Sequence, residues 1–242
     1  MGVIEFNGIS SRDLGIEVET FPTYDTPEKE YQVTHVPGRN GDLLVPTGTY
    51  KNVPRSYKVS MATYDRVEYY KMMNKIAEWL YSSNGYARLE DSYTPEYYSY
   101  AYYDKSISIE NLFNEAGRAT LTFTCKPQRY LKIGEYPISF TSSGTLHNQT
   151  DEIALPVLKV VTNNTQGAVG IGNQSITIKA GAGTNPIIID SELQDAWSGA
   201  TNKNSYIVLT NGDFISIKPG NNAVTLSGGI QSVEVTPRWW TV

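Results

Sequence analysis

The sequence predicts a mainly β chain in two parts: an α+β N-terminal domain with one long helix on a sheet or split barrel, then an all-β sandwich. Three observations predict it. One stretch alone has helical periodicity, DRVEYYKMMNKIAEWLYSS at residues 65–83. Residues 119–125 alternate Ala119, Leu121, Phe123, Cys125 with Thr120, Thr122, Thr124, the pattern of a half-buried strand. From Pro156 onward, short apolar pieces recur between Asn-Gly, Gly-Asn, Pro-Gly and Gly-Gly signals.

Taken in order, residues 3–6 and 14–18 are two short apolar stretches that read as a hairpin with a long connection. Residues 24–31 are polar and contain Pro27, an exposed excursion. Residues 33–45 follow as two extended arms, Val33 to Val36 and Leu43 to Val45, around the turn Pro37, Gly38, Arg39, Asn40, Gly41, Asp42. Tyr57, Val59 and Met61 alternate with Lys58 and Ser60 and lead into the helix. Asp65 and Glu68 have capping-box spacing. Tyr69, Met73, Ile76, Ala77 and Leu80 form the apolar stripe, and Asn84-Gly85 supplies a left-handed stop. An amphipathic helix must cover its stripe, and a sheet is the surface on offer.

The run YTPEYYSYAYY at residues 93–103 is the densest part of a tyrosine excess, 18 in 242 residues. Tyr98, Tyr100 and Tyr102 share one strand face, and Tyr97 and Tyr103 the other. They are read equally as a surface between subunits or as an internal strand with wet hydroxyls. The alternating strand is expected to end at Pro127. Composition then changes, through the small, polar residues 141–150, giving domains 1–135 and 136–242. Strands are expected over residues 157–161, 168–171, 175–179, 186–189, 206–209, 213–217, 223–226 and 233–236. Asn211-Gly212 is the strongest hairpin signal among them.

The formal charge of −5, with no basic run, speaks against nucleic-acid binding. No apolar run approaches a membrane span, and MGVIEFNG lacks the form of a secretion signal. One cysteine, Cys125, and two histidines, His35 and His147, make no metal-ligand spacing, so neither metal nor cofactor is expected. GAVGIG at residues 167–172 departs from a phosphate-binding loop. Asp190, Glu192 and Asp195 read as turn residues, not as acid–base groups, and the chain is not expected to be an enzyme. Trp197, Trp239 and Trp240 raise an alternative, a carbohydrate-binding adhesion module. Adjacent Trp239 and Trp240 point to opposite faces of a strand, so one is expected at a surface.

The order of FNGISSRDLGI (residues 6–16), VPGRNGDL (36–43), AEWL (77–80), ATLTFTCKPQRY (119–130), IIIDSE (187–192), NGDFISIKPGNNAVTLSGG (211–229) and VEVTPRWW (233–240) resembles the distal tail protein (Dit) family of long-tailed (siphovirus) bacteriophages and prophages. The resemblance implies a hexameric ring at the tail tip, formed by the N-terminal domain, with residues 33–45 as an arm reaching the neighbouring subunit. It implies a galectin-like C-terminal sandwich. It implies, as partners, further copies of the chain, the tail-tube protein, the tail-associated hub protein and a receptor-binding protein, in a virion component assembled in the host cytoplasm. The candidate inter-subunit residues are then Val36 to Leu43 of the arm together with Tyr98, Tyr100, Tyr102, Trp239 and Trp240.

Overall fold

The computed structural model describes residues 2–62, 66–107, 109–112 and 116–242. Two compact units result, Met1–Arg129 with Val242, and Tyr130–Thr241.

The strands of the first unit are β1 (Ile4–Phe6), β2 (Ile9–Ser10), β3 (Ile16–Val18), β4 (Thr23–Tyr24), β5 (Lys29–Thr34), β6 (Leu43–Tyr50), β7 (Val53–Ala62), β8 (Ala87–Asp91), β9 (Tyr97–Tyr102), β10 (Ile109–Leu112) and β11 (Ala116–Leu131), with α1 spanning Arg66–Leu80. The main sheet runs β2-β1-β8-β9-β11-β7-β3. Gly2 and Val18 exchange two backbone hydrogen bonds of 3.3 and 3.1 Å, which join β3 back to the start of β1. The sheet is therefore closed into a barrel. The two alternating strands read from the sequence face each other in one ladder, with Val59 opposite Ala119, Tyr57 opposite Leu121 and Val53 opposite Cys125.

Five expectations are corrected here. Residues 3–6 and 14–18 are not a hairpin: β1 pairs β2 and β8, whereas β3 pairs β7. The 3-10 turn Ser11–Leu14 and Gly15, at φ 69°, redirect the chain between them. Residues 24–31 are not one excursion, since Thr23 and Tyr24 pair with Ser56 and Arg55 on the barrel. β11 continues past Pro127. Its ladder with β7 ends at Cys125, so the missing proline N–H breaks no bond in that ladder. The helix stripe is centred on Tyr69, Ile76, Trp79 and Leu80, all buried, while Met73 and Ala77 are half-buried. Trp79 takes the extra place because its indole N–H donates to the Phe6 carbonyl at 3.1 Å and its ring meets Phe6 edge-on. The helix ends through Tyr81 N–H to Ala77 O and Ser82 N–H to Trp79 O, without a left-handed residue at 84–85. Asp65, the expected cap, lies outside the described residues.

The second unit contains β12 (Ile138–Phe140), β13 (Gly144–Asn148), β14 (Val157–Ile171), β15 (Gln174–Ile178), β16 (Ile187–Asp190), β17 (Asp195–Ser198), β18 (Thr201–Asn202), β19 (Ile207–Leu209), β20 (Gly220–Thr236) and β21 (Trp240–Thr241). Four expected short strands are halves of two long ones. β14 and β20 pair from Val157–Thr236 to Ile171–Val224, with register shifts around Thr162. The first half of β14 also carries β16, and the second half carries β15. Leu158, Val160, Val233 and Val235 of one half meet Val169, Ile171 and Val224 of the other in a single core.

Glycine makes that bend possible. Gly228 has φ +60°, and a Cβ there would collide with the Gln166 carbonyl; a Cβ on Gly167 would lie 2.6 Å from the Ser227 carbonyl. Gly228→Val is expected to destabilise the second unit by at least about 1–3 kcal/mol from the left-handed backbone alone. Denaturant titration followed by tryptophan emission measures this.

Asn211-Gly212 makes no hairpin. Asn211 is left-handed, at φ 62°, but residues 213–217 carry only an isolated bridge, Ala154 to Ile217. The cause is local competition. β19 is committed to β15. Gln174 then satisfies the next segment with its side chain, accepting from Ser216 N–H at 2.8 Å and donating to the Phe214 carbonyl at 3.2 Å. The tight hairpin forms instead at Gly172-Asn173, where Ile171 pairs Gln174.

Candidate assembly interface

β5 and β6 form a two-stranded sheet of their own. Thr34 opposes Leu43, Val33 opposes Leu44, Gln32 opposes Val45 and Tyr31 opposes Pro46. Opposed residues share a face, so Tyr31, Val33, Leu44 and Pro46 lie on one side, and Gln32, Thr34, Leu43 and Val45 on the other. Val33 is 58% exposed and Leu44 55%; Tyr31, Leu43 and Val45 are exposed as well. Apolar side chains thus face water on both sides of the ribbon.

The tip holds Val36, Pro37, Gly38, Arg39, Asn40, Gly41 and Asp42. Arg39 N–H donates to the Val36 carbonyl at 3.2 Å, and Gly38 and Gly41 are left-handed. Polar bonds tie the two strands together. Thr47 Oγ1 donates to the Glu30 carbonyl at 3.0 Å, Thr49 Oγ1 donates to the Glu30 carboxylate at 2.6 Å, and Lys51 pairs Glu28 at 3.0 Å. His35 meets Asp42 at 3.3 Å across the base of the tip. Among the described residues no third strand joins β5 or β6, so one backbone edge of each is open. An isolated two-stranded hairpin is marginal in water. This one exposes the very residues that could stabilise it.

The ribbon's feet are fixed. Tyr24, just before it, donates its hydroxyl to both Asp91 carboxylate oxygens at 2.8 Å, and the Arg55 and Arg129 guanidiniums lie 5.1 and 5.3 Å from its ring. Burial pushes the Tyr24 hydroxyl up to about 12. Asp91 also accepts from Tyr57 Oη at 2.8 Å and from the amides of Tyr93 and Thr94 at 3.0 and 2.9 Å. At the other foot, Asn52 Nδ2 donates to Tyr86 Oη at 2.7 Å. Sequence reading missed this cluster, because no motif links Tyr24, Asp91 and Tyr57; only the fold brings them together.

Two of the five proposed interface aromatics are corrected. Tyr98 is 4% exposed, with the Arg88 guanidinium 3.8 Å from its ring centre, and Trp239 is 4% exposed within the second core. Tyr100 and Tyr102 share the outward face with Tyr98 but are half-buried. Lys126 lies 5.6 Å from Tyr100 and 5.3 Å from Tyr86, and Tyr86 meets Tyr102 edge-on at 5.2 Å. Trp240 is half-buried, packs on the second core and donates from Nε1 to the Ile153 carbonyl at 2.9 Å. Neither member of the pair presents the open ring of a sugar-stacking platform.

The polar groups weighed for chemistry have structural partners. Asp190 is buried and receives two Arg238 hydrogen bonds of 2.8 and 2.7 Å, plus the amides of Glu192 and Leu193. Asp195 accepts from the Ala196 amide and from the Asn202 and Asn204 side chains. His147 meets Asn221 at 2.8 Å. Residues 167–171 of GAVGIG are strand. Cys125 is buried, which pushes its thiol up to about 11 and keeps it protonated. Among the described residues no group of three His, Cys, Asp or Glu is placed to hold a metal, and no helix is long and apolar enough to cross a membrane.

Burial pushes the Asp190 carboxyl up, but the Arg238 hydrogen bonds and charge, with the two amides, outweigh it and leave the group below its ordinary value. A depressed folded value stabilises fully above the unfolded pKa and is lost as pH falls through the folded one. The second unit is therefore expected to lose stability in acid below about pH 4. Asp190→Asn should already be weakened at neutral pH and lack that part of the acid dependence, which melts followed by tryptophan emission across pH will show.

Residues 11–125 match the family model of the phage tail protein RIFT-related domain. No curated protein matches the sequence. The fold matches the crystal structure of the Dit protein (gp 19.1) of phage SPP1, described as a paradigm of the hub adsorption apparatus in phages infecting Gram-positive hosts. The TM-score is 0.79 at 12% identity, over 100% of both chains. It also matches chains of the phage p2 baseplate in its activated conformation. With Sr the TM-score is 0.53 at 11% identity, covering 97% of each chain; with Ca it is 0.55 at 11%, covering 97% of this chain and 96% of that one. Residues 11–125 thus resemble the phage tail protein RIFT-related domain, in a chain whose whole fold resembles that of a distal tail protein.

Proposed function

We propose that this chain is the structural hub of a phage tail tip. Six copies close into a ring that joins the tail tube to the tail-associated hub protein. Residues 1–135 make the ring, and residues 136–242, a galectin-like sandwich, anchor receptor-binding proteins. The observation that carries the reading is the β5–β6 ribbon, which holds apolar side chains in water on both faces and leaves its edges open. Such a surface is satisfied by a second molecule. When donor and acceptor lie on different parts of one chain, a rotation that closes gives a ring. The protein works in the virion, at the tail tip, after assembly in the host cytoplasm. A net charge of −5 suits a ring through which DNA passes without adhering.

Mass photometry or native mass spectrometry tests the ring. A particle of six 26.9 kDa chains is expected. A single chain at micromolar concentration, even with tube and hub proteins added, contradicts it.

A further inference from the structure

We propose that Tyr24 and Asn52 are positioning residues that aim the ribbon before any second copy is met. This rests on the reading of the ribbon as an assembly arm. Residues 25–52 leave the barrel and return to it, and the polar side chain at each end of that excursion is tied to the barrel. Tyr24 pairs by its backbone with Arg55, donates to the buried Asp91, and has its ring flanked by Arg55 and Arg129. Asn52 directly precedes β7 and donates to Tyr86, whose ring is braced by Tyr102 and Lys126.

The two feet differ in a telling way. The Tyr24 foot draws on a carboxylate that the barrel already needs, since Asp91 also holds Tyr57 and the turn amides of Tyr93 and Thr94. The Asn52 foot is an exposed side-chain bond that spans 34 residues, between the end of the ribbon and the start of β8. The buried core of the unit contains neither Asn52 nor Tyr86. A bond of that kind contributes little to folding and much to the angle at which a two-stranded ribbon leaves its base. An aimed ribbon loses less freedom when it docks, so the same contacts hold more tightly.

Pulsed electron spin resonance distances test this directly. Spin labels go on Arg39→Cys at the tip and Lys58→Cys on the outer face of β7, diluted with unlabelled chain; buried Cys125 stays unlabelled. A narrow distance distribution is expected in the parent. It should broaden in Tyr24→Phe, which keeps the ring, and in Asn52→Ala. Tyr86→Phe removes the other half of the Asn52 bond and should match Asn52→Ala, with no further broadening when the two are combined. The melting temperature of Asn52→Ala should stay at the parent value, while its assembly midpoint moves at least tenfold higher in concentration. An unchanged distribution in Asn52→Ala and Tyr24→Phe overturns the proposal, as does a broadened one with an unmoved midpoint. If the parent never assembles, the hub reading fails, and the distances alone still decide whether the feet aim the ribbon.

Discussion

Replacing Val33 and Leu44 together by Ser is expected to give a folded single chain that no longer forms rings. The two residues oppose each other on one ribbon face and are more than half exposed in the isolated chain. Exposed substitutions of this kind change folding stability by about 0.5 kcal/mol or less. At an interface the account changes, because burying each side chain contributes about 1.5–3 kcal/mol. Losing both weakens every contact around the ring about a hundredfold or more. Sedimentation velocity should show one slow species, while far-ultraviolet circular dichroism keeps the parent's spectrum. Gln32→Ala, on the opposite face, is the control and should assemble normally. Deleting residues 39–42, or placing Pro at Leu43, should act in the same direction; the proline removes a backbone donor from a strand edge.

Asp91→Ala is expected to have the largest effect on folding, about 3–5 kcal/mol from several charge-assisted hydrogen bonds lost together, confined to the first unit. The carboxylate collects two tyrosine hydroxyls and two backbone amides, beside the buried Arg55. Removing it leaves Tyr57 Oη inside the barrel without its acceptor and takes away the negative charge near Arg55, which still donates to Ser99. Burial, with Asp91 close by, already drives the Tyr57 hydroxyl well above its ordinary value. Urea titration of the variant should separate the transition of the first unit from that of the second. A loss below about 1 kcal/mol contradicts the role given to Asp91.

What could be read from the sequence were features repeated along the chain. Alternation in Tyr57–Val59–Met61 and Ala119–Leu121–Phe123–Cys125 located both strands and their inward faces, because side chains in strands have a period of two. Helical spacing located α1, and glycine with proline located the ribbon's tip. What was not legible depends on partners far away in sequence. Trp79 joined the buried stripe because the Phe6 carbonyl accepts from its indole. Residues 157–171 and 220–236 looked like four strands because Asn and Gly interrupt them, yet those glycines bend two continuous strands without ending them. Asn211-Gly212 failed as a hairpin because Gln174, roughly 40 residues away, holds the segment that would have been its second strand. Alternation placed Tyr98 and Trp239 on strand faces but left open whether those faces meet water or the interior. Arg88 covers the first, and the second core encloses the other.

Hydrogen–deuterium exchange of the ribbon amides, followed over a concentration series, asks whether a second copy covers it. Residues 29–34 and 43–50 should exchange quickly in dilute protein and become protected as particles form, while the barrel strands β7 and β11 stay protected throughout. Exchange in those two segments that is equally fast at every concentration, in a sample shown to be ring-shaped, would mean that the ring is built from other surfaces.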